Sequence, residues 1–348
     1  MNIFYFLKSL FAKPAPEIFT GALLDDRRGL EQLNDIHFDE IVTAADPVNW
    51  RPLDTAKLPD WPVLNQNGAG ACVAFTKALM ASILYFTRKG IWVLFSPKWI
   101  YIARKNYPSA GMYGYDAFDI EATEGLVPED MVPSQNLTEE QINNYSAEPW
   151  EKEVGKALRM SDQKVVLPVK DIDTVASVMQ TTGKPVMVWF EFFYDEWTAT
   201  PQAIRANPSL RHSVTFIPPK SSGQNSFGLY NGKKAIVIQD SWGLDRQTFN
   251  GKRIIDEDFY KTRNFFAAYS MRFKFDEGQR SKPVYDGTIV SLQKCLRYEG
   301  CFPTNIDFVE SFGPVTKKSL AQFQQKYGLP ASGQLDAATL AKIKAMFV

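Results

Sequence analysis

The pattern of hydrophobic and polar positions divides the chain into a helical first half and a strand-rich second half. Residues 72–88 are apolar almost all round a helical wheel, which predicts a buried central helix that ends at Gly90. Ser96 followed by Pro97 predicts the start of a second helix, with the serine at the N-cap position. A third helix is predicted over residues 117–124, before another glycine.

After residue 163 the hydrophobic period shortens and the sequence becomes rich in β-branched and aromatic residues. Turn signals separate the apolar runs VVLPV, KPVMVWFEF, HSVTFI and KAIVIQD, which are predicted strands. The polar residues 134–163 are predicted to be a crossing linker with one helical piece. The loop SSGQNSFGLYNGKK is predicted to form a long hairpin tip. Helices first and strands afterwards are typical of an α+β fold.

Changes in composition predict four parts of the chain. They are an N-terminal extension over residues 1–46, an α+β domain over 47–275, a polar linker over 276–283 and a small three-helix domain over 284–348. The apolar opening of the chain is too short to span a membrane and lacks the positive residues of a secretory signal. We predict a short amphipathic or docking segment there, and the rest of the extension could brace the core.

The overall composition excludes some functions. Hydrophobic residues make up 45% of the 348 residues, which is enough for a large core, and 39 basic residues balance 39 acidic ones. Without a basic excess, we expect no binding to nucleic acid. The cysteines number three, too few for a disulfide framework. Cys295 and Cys301 could form a bridge or remain buried free thiols, and we expect neither a metal nor another cofactor.

The third cysteine, Cys72, lies at the start of the predicted central helix. The partial positive charge of a helix N-terminus favours a thiolate over a thiol. Gly70, in a run of small residues before it, would let a substrate backbone approach closely. Gln66 could join the Cys72 backbone N–H in an oxyanion hole. An inert core thiol is the alternative for a lone cysteine on an apolar helix.

A histidine and a carboxylate in the second half could complete a catalytic set. His212 begins the HSVTFI strand, and a Cys–His pair drawn from distant segments is usual for a nucleophilic cysteine. Asp240, in IVIQDSWG, ends the strand expected to pair with it, and a carboxylate there can orient the imidazole. Trp242 could cover this pair and exclude water. The other histidine, His37, has no partner motif and is predicted to be structural.

The blocks NQNGAGACVAF, HSVTF and DSWG resemble the three active-site blocks of papain-like cysteine peptidases, in the same order. FSPKWIYIARK and EATEGLVPED are also similar to family segments, so the resemblance covers roughly residues 47–275. It implies a papain-like fold with a helical left half and an antiparallel β-barrel-like right half. By this resemblance, Cys72 attacks the substrate and His212 is general base, then acid. Gln66 takes the oxyanion role and Asp240 orients the histidine.

The sequence departs from the family pattern at two places. The family usually has serine before and tryptophan after the nucleophile, whereas Ala71 and Val73 stand here. The orienting residue is usually asparagine, and here it is Asp240. Because a carboxylate stabilises an imidazolium more than an amide does, we expect the Cys72–His212 ion pair to persist to higher pH.

The C-terminal segments LQKCL, GPVTKKSLAQFQQKYGL and SGQLDAATL resemble a small three-helix peptidoglycan-binding domain. The resemblance implies contact with bacterial cell wall, and similar modules also dock on proteins. Within it, Leu320, Phe323, Leu329 and Leu340 are predicted to be core residues rather than ligand contacts.

These observations predict a cysteine endopeptidase directed to bacterial cell wall, with a polypeptide or a wall peptide as substrate. It would act in the cell wall, outside the cell or on a virion, without a transmembrane span. One alternative is a virion or envelope processing protease whose C-terminal domain docks on protein. Another is a non-catalytic structural or binding protein on a papain-like scaffold.

Overall fold

The computed structural model describes most of the chain. The described residues are 21–23, 36–37, 48–158, 162–167, 171–244, 247–263, 265, 267–273, 283–303 and 308–347. The predicted N-terminal docking segment and nearly all of the predicted linker lie outside them. None of the helices within these ranges has the length and apolar character needed to cross a bilayer.

The central helix, α1 (Cys72–Lys89), is buried on every side along most of its length. Each residue from Cys72 to Leu84 is buried, so the prediction of a core helix is confirmed. The helix ends where Gly90 adopts a left-handed φ of 69° and its N–H bonds to the Phe86 carbonyl.

Two further helices pack around α1 in the helical half. In α2 (Pro97–Ile102) the Ser96 hydroxyl accepts the N–H of Trp99, which confirms the predicted N-cap. The third predicted helix is present as α3 (Gly114–Thr123) and begins three residues earlier than the pattern indicated. These short helices pack on α1 and shape the helical half.

Residues 134–163 contain two helices, where the sequence predicted a crossing linker with a helical piece. The helices are α4 (Glu139–Asn143) and α5 (Pro149–Ala157). Thr138 and Gln141 begin α4 with a capping box, in which each side chain accepts the other residue's backbone N–H. This cap stabilises a helix too short to show a hydrophobic period.

The strand-rich half forms a curled, mainly antiparallel sheet. Its strands are β2 (Ile36–His37), β4 (Asp162–Val166), β5 (Val186–Phe192), β6 (Leu210–Phe216), β7 (Phe227–Tyr230), β8 (Lys233–Gln239), β9 (Lys252–Asp256) and β10 (Ala267–Phe273). The order is β2-β4-β10-β5-β6-β8-β7, with β9 also paired to β8, and only the β2–β4 pair in this set is parallel.

Both faces of this sheet are covered. In β5, Met187 and Trp189 point into the core around α1, whereas Val188 and Phe190 point into a second core. That second core lies beneath α6 (Ile172–Thr182) and α7 (Glu257–Thr262), which the sequence reasoning did not predict. Burial on both faces explains why the strands read as nearly continuous apolar runs.

The loop predicted as a long hairpin tip instead contains strand β7. Asn231 and Gly232, at φ of 51° and 80°, make the tight turn between β7 and β8. An Asn-Gly pair is a strong hairpin signal, because this turn needs positive φ at both positions. Gly228 in β7 lies against the chain segment that precedes α1, and a Cβ at Gly228 would clash with the Arg51 carbonyl oxygen.

The C-terminal part contains three helices around their own core, as predicted. They are α8 (Ile289–Tyr298), α9 (Pro314–Lys326) and α10 (Ala337–Phe347). Of the four predicted core residues, Leu320 and Phe323 are fully buried in this core, Leu340 packs against it and Leu329 is half-buried. Cys295 and Cys301 are buried free thiols, and burial is the main cause that raises the pKa of Cys295 to about 11.

A buried ion pair between α1 and α3 gives a test of the packing. Lys77 and Glu121 bond to each other while both are almost fully buried. Because Lys77→Met would leave a buried carboxylate unpaired, we expect it to lower the free energy of unfolding by about 3–5 kcal/mol. The double variant Lys77→Met/Glu121→Leu should recover most of this loss in urea unfolding. Equal instability of both variants would contradict the pairing.

Candidate active site

The site forms where the N-terminal part of α1 packs on β6. The Thr76 hydroxyl donates to the Ser213 carbonyl at 2.9 Å, and the Thr215 hydroxyl donates to the Thr76 carbonyl at 3.2 Å. Cys72 lies one helical turn before Thr76 and therefore on the same helix face, and His212 directly precedes Ser213. These two hydrogen bonds bring the thiol and the imidazole together.

Cys72, His212 and Asp240 form a continuous buried chain. The Nε2 atom of His212 is 3.0 Å from Oδ1 of Asp240, and Cys72 is a second hydrogen-bonding partner of the imidazole. The exposed fractions are 0% for Cys72 and 2% for each of the other two. The structure thus brings together the three residues that the sequence motifs singled out.

The carboxylate of Asp240 is held from several directions. Its Oδ1 atom accepts the Ser241 backbone N–H at 2.7 Å, while Oδ2 accepts Nε1 of Trp197 at 2.6 Å and Nε of Arg253 at 2.7 Å. Burial by itself would raise the pKa of this carboxyl group. The charges and hydrogen bonds of Arg253 and His212 outweigh burial and hold the pKa of Asp240 well below its usual range. It is therefore a carboxylate throughout the neutral range.

The imidazole of His212 is shifted in the opposite direction. Burial lowers the pKa of His212, but its hydrogen bonds and charge interactions with Asp240 and Cys72 are stronger together and raise it to about 9. Aromatic rings surround the imidazole at 5.2–6.1 Å between centroids: Phe190, Phe192, Trp197 and Trp242. This pKa has the direction expected for an ion pair that Asp240 supports.

Trp242 occupies the covering position that the sequence suggested. Its ring centroid lies 5.2 Å from that of His212, and Tyr194 stacks on it at 5.7 Å. Trp242 is half-buried, whereas Tyr194 is exposed over half of its surface. The tryptophan therefore separates the imidazole from solvent.

Gln66 lies against the segment that carries Asp240. Its backbone N–H bonds to the Ser241 carbonyl at 2.8 Å, and the Ser241 hydroxyl donates to Oε1 of Gln66 at 2.6 Å. The Nε2 atom donates to the Ala69 carbonyl at 2.5 Å. These bonds fix the amide with its nitrogen towards the loop that precedes Cys72.

Gly70 is required by a close contact within the protein. A Cβ atom there would be 2.7 Å from the backbone nitrogen of Gly111. Its N–H donates to Oε2 of Glu139 at 2.8 Å, and Oε1 of Glu139 accepts the Tyr101 hydroxyl at 2.8 Å. The sequence reasoning assigned the close approach at Gly70 to a substrate, whereas here it is to the neighbouring loop.

A short piece of the N-terminal extension lies directly over the thiol. Gly21 is followed by β1 (Ala22–Leu23), which pairs in parallel with β3 (Met112–Tyr113), and the Gly21 carbonyl accepts the Met112 N–H at 2.8 Å. A Cβ atom on Gly21 would be 2.5 Å from Sγ of Cys72. Since Ala22 is only 1% exposed, residues 21–23 seal the thiol from solvent.

Three residues that contribute to the site were missed from the sequence. Arg253 lies within the strand segment KRIID, where a charged residue among buried positions was an available signal. Trp197 and Glu139 carried no such signal, because each comes from a short irregular or helical segment with no motif.

Comparisons with known proteins agree with this architecture. Residues 286–343 match the family described as "Putative peptidoglycan binding domain". The chain is 21% identical over 250 residues to a cathepsin L-like proteinase of Phaedon cochleariae, covering 70% of this chain and 71% of that protein.

Two solved structures share the fold. Xylellain, a cysteine protease from Xylella fastidiosa, gives a TM-score of 0.55 at 16% identity, covering 74% of this chain and 97% of that one. Digestive procathepsin L2 proteinase from Tenebrio molitor larval midgut gives a TM-score of 0.54 at 18% identity, covering 74% and 80%. The chain therefore has the fold of papain-like cysteine proteases, a class of hydrolases. A segment that resembles a peptidoglycan-binding domain follows it, and the predicted fold class and resemblance are confirmed.

The contact between Gly21 and the thiol predicts how the seal can be opened. Gly21→Ala places a methyl group against Sγ of Cys72, and a clash above ~1.4 kcal/mol shifts the opening equilibrium about tenfold. We expect alkylation of Cys72 by iodoacetamide to become at least about tenfold faster, as measured by mass spectrometry of its peptide. Gly313→Ala is the matched control, since Gly313 has a φ of −80° and a Cβ there would meet only Oγ of Ser311, at 4.0 Å. Equal rates in both variants would contradict the seal.

Proposed function

We propose that this protein is a cysteine endopeptidase in which Cys72 is the nucleophile and His212 is its base. The observation that carries the proposal is the buried chain from Cys72 through His212 to Asp240 on a papain-like fold. A nucleophile, a base within hydrogen-bonding reach and a third group that orients the base are the parts needed for covalent catalysis.

The charges of the site fit the successive steps of peptide hydrolysis. With the thiol proton on His212, the Cys72 thiolate attacks the carbonyl carbon of the substrate. The imidazolium then gives its proton to the departing amine, which leaves an acyl group on the sulfur. Neutral His212 next takes a proton from water, whose oxygen attacks the acyl carbon and releases the acid. Asp240 supports the imidazolium throughout without accepting a proton.

In this proposal, Gln66 and the start of α1 stabilise the oxyanion of each tetrahedral intermediate. The backbone N–H of Cys72 belongs to the first turn of α1, where N–H groups have no partner within the helix. The amide of Gln66 has two N–H bonds, and its bond to the Ala69 carbonyl uses one of them. The Ser241 hydroxyl fixes the other end of this amide, so the donor is oriented in advance.

We further propose that the C-terminal domain directs the peptidase to bacterial cell wall. The match of residues 286–343 to the peptidoglycan-binding family supports this partner. A tether of this kind raises the effective concentration of wall bonds near the catalytic site. Wall peptides or proteins embedded in the wall would then be the substrates, in the wall, outside the cell or on a virion.

The peptidase proposal predicts specific labelling at Cys72. We expect a thiol-directed epoxide to modify Cys72 at neutral pH in the Gly21→Ala variant, whose thiol should be uncovered. The same variant should release peptide products from a mixture of wall fragments and denatured protein, followed by mass spectrometry. Adding Cys72→Ala should lower hydrolysis by about 10⁴-fold or more, while adding Cys301→Ala should leave it unchanged.

The pH dependence of the labelling follows from the pKa of His212. The reactive pair needs the imidazolium, which is lost as the pH rises through about 9. The labelling rate should therefore fall as the pH rises through about 9, rather than near 6.5. No labelling of Cys72 at neutral pH, with His212 intact and the seal open, would overturn the peptidase proposal and favour a non-catalytic scaffold.

The cell-wall proposal predicts sedimentation with purified peptidoglycan. The full chain should co-sediment, and a chain that ends at Asp276 should remain in the supernatant, as followed by gel densitometry. Equal co-sedimentation by both would remove the wall role of the C-terminal domain. A processing protease that docks on protein would then be the better interpretation.

A further inference from the structure

Asp240 lies between two cationic side chains. His212 faces its Oδ1 atom at 3.0 Å, and Nε of Arg253 bonds to Oδ2 at 2.7 Å. Arg253 is on β9, in a different part of the chain from the three site motifs, and is 0% exposed. A buried carboxylate of this kind is stable only when it is paired and fully hydrogen-bonded, and Arg253 supplies a pairing charge and one of the hydrogen bonds.

We propose that Arg253 is a positioning residue of the catalytic site, which holds the Asp240 carboxylate and offsets part of its negative charge as felt by His212. The charge balance between Arg253, Asp240 and His212 can be tested without the peptidase function. The proposal rests on that function only for the purpose of the balance.

The geometry of the guanidinium group fits this role. Its Nη1 atom donates to the Trp197 carbonyl at 2.5 Å, and its centre lies 5.0 Å from the ring of Trp197. The indole Nε1 of that tryptophan donates to the same Oδ2 atom that Arg253 contacts. Arg253 therefore fixes both the carboxylate and a second donor to it.

The charged and titratable groups around the imidazole come from three elements. Cys72 at the start of α1 and Asp240 after β8 act on His212 directly, and Arg253 on β9 acts on Asp240. In the ion-pair form, the Cys72 thiolate, the His212 imidazolium, the Asp240 carboxylate and the Arg253 guanidinium follow one another with alternating sign. The net charge of the four ionised groups is zero, which suits a site with almost no access to solvent.

The offset has a chemical purpose in the proposed reaction. A lone buried aspartate in place of a neutral amide would bind the imidazolium proton too tightly. A general acid works best when its pKa is close to the operating pH, because it must release its proton to the departing amine. The positive charge on the far side of Asp240 reduces the pull of the carboxylate while keeping its orienting hydrogen bond.

Another buried arginine provides a matched control. Arg263 is 1% exposed and pairs with buried Glu196, and its Nη2 atom also bonds to the Arg205 carbonyl at 2.6 Å. Among the described residues these partners lie apart from Asp240 and His212 in the hydrogen-bond network. Replacing it removes the same kind of buried ion pair without changing the charge beside the triad.

The test is a pH titration of the histidine signals by NMR in the full chain. The chain has two histidines, so a histidine-labelled sample gives two imidazole signals, and His212→Gln assigns them. Arg253→Gln should raise the pKa of His212 by about one unit or more, since a positive charge is lost nearby. Arg253→Lys, which keeps the charge, and Arg263→Gln should leave it close to that of the parent protein.

A second pair of variants covers the case in which Arg253→Gln does not fold. Asp240→Asn removes the negative charge beside Arg253 and keeps the arginine, and Asp240→Asn/Arg253→Gln removes both charges. The double variant should have the higher His212 pKa, by about one unit.

An unchanged or lower pKa on removal of Arg253, in either comparison, would overturn the proposal and leave the arginine a purely structural role. The titration needs no turnover. A shift without any hydrolysis would therefore count against the peptidase function and not against the charge balance.

Discussion

The reciprocal hydrogen bonding between α1 and β6 is the interaction on which the rest of the site depends. Thr76 and Thr215 each bond to a backbone carbonyl across this contact, which fixes the helix along the strand as well as towards it. Cys72 and His212 take their positions from that register. A slip of one residue in the strand would turn the imidazole to the opposite face of the sheet, away from the aromatic rings that surround it. Because α1 is buried on all sides, the contact cannot relax by tilting, and a thiol and an imidazole 140 positions apart in the sequence stay aligned.

A second constraint is the pairing of charges in a place that water hardly reaches. In the usual family arrangement the orienting residue is a neutral amide and needs no counterion. Here Asp240 is ionised and buried, so its charge has to be balanced, and β9 contributes Arg253 at the required side. The aspartate and the arginine are therefore best regarded as one unit. A substitution at either position alone changes both the stability of the site and the field at His212. Val73, where the family usually has tryptophan, is fully buried in the main core.

The sequence predicted the central parts of the site because they lie in short local motifs. Cys72 at a helix start, His212 in an apolar strand and Asp240 before Ser-Trp-Gly each had a pattern that physical chemistry could interpret. Arg253 had a weaker signal, because its strand is buried on both faces and the alternation that marks a half-buried strand is absent. Glu139 was missed because it begins a helix of five residues, too short for a period. Strand β7 was missed although the Asn231-Gly232 pair after it is a hairpin signal. The strand has only four residues and lies within a mostly polar loop, so its hydrophobic pattern is weak.

The seal over Cys72 connects the fold of the extension to the chemistry of the site. Residues 21–23 use the backbone edge of β3, and such an edge can pair with one extended segment at a time. A peptide that reaches the thiol along this edge must therefore displace the segment first. The triad, by contrast, is already assembled beneath the seal, with its charges paired and its imidazole oriented. For the proposed peptidase, access to the thiol rather than assembly of Cys72, His212 and Asp240 would then be the step that limits reaction. Gly21 suits that position because a Cβ atom there would be 2.5 Å from the sulfur, so only a residue without a side chain can lie against it.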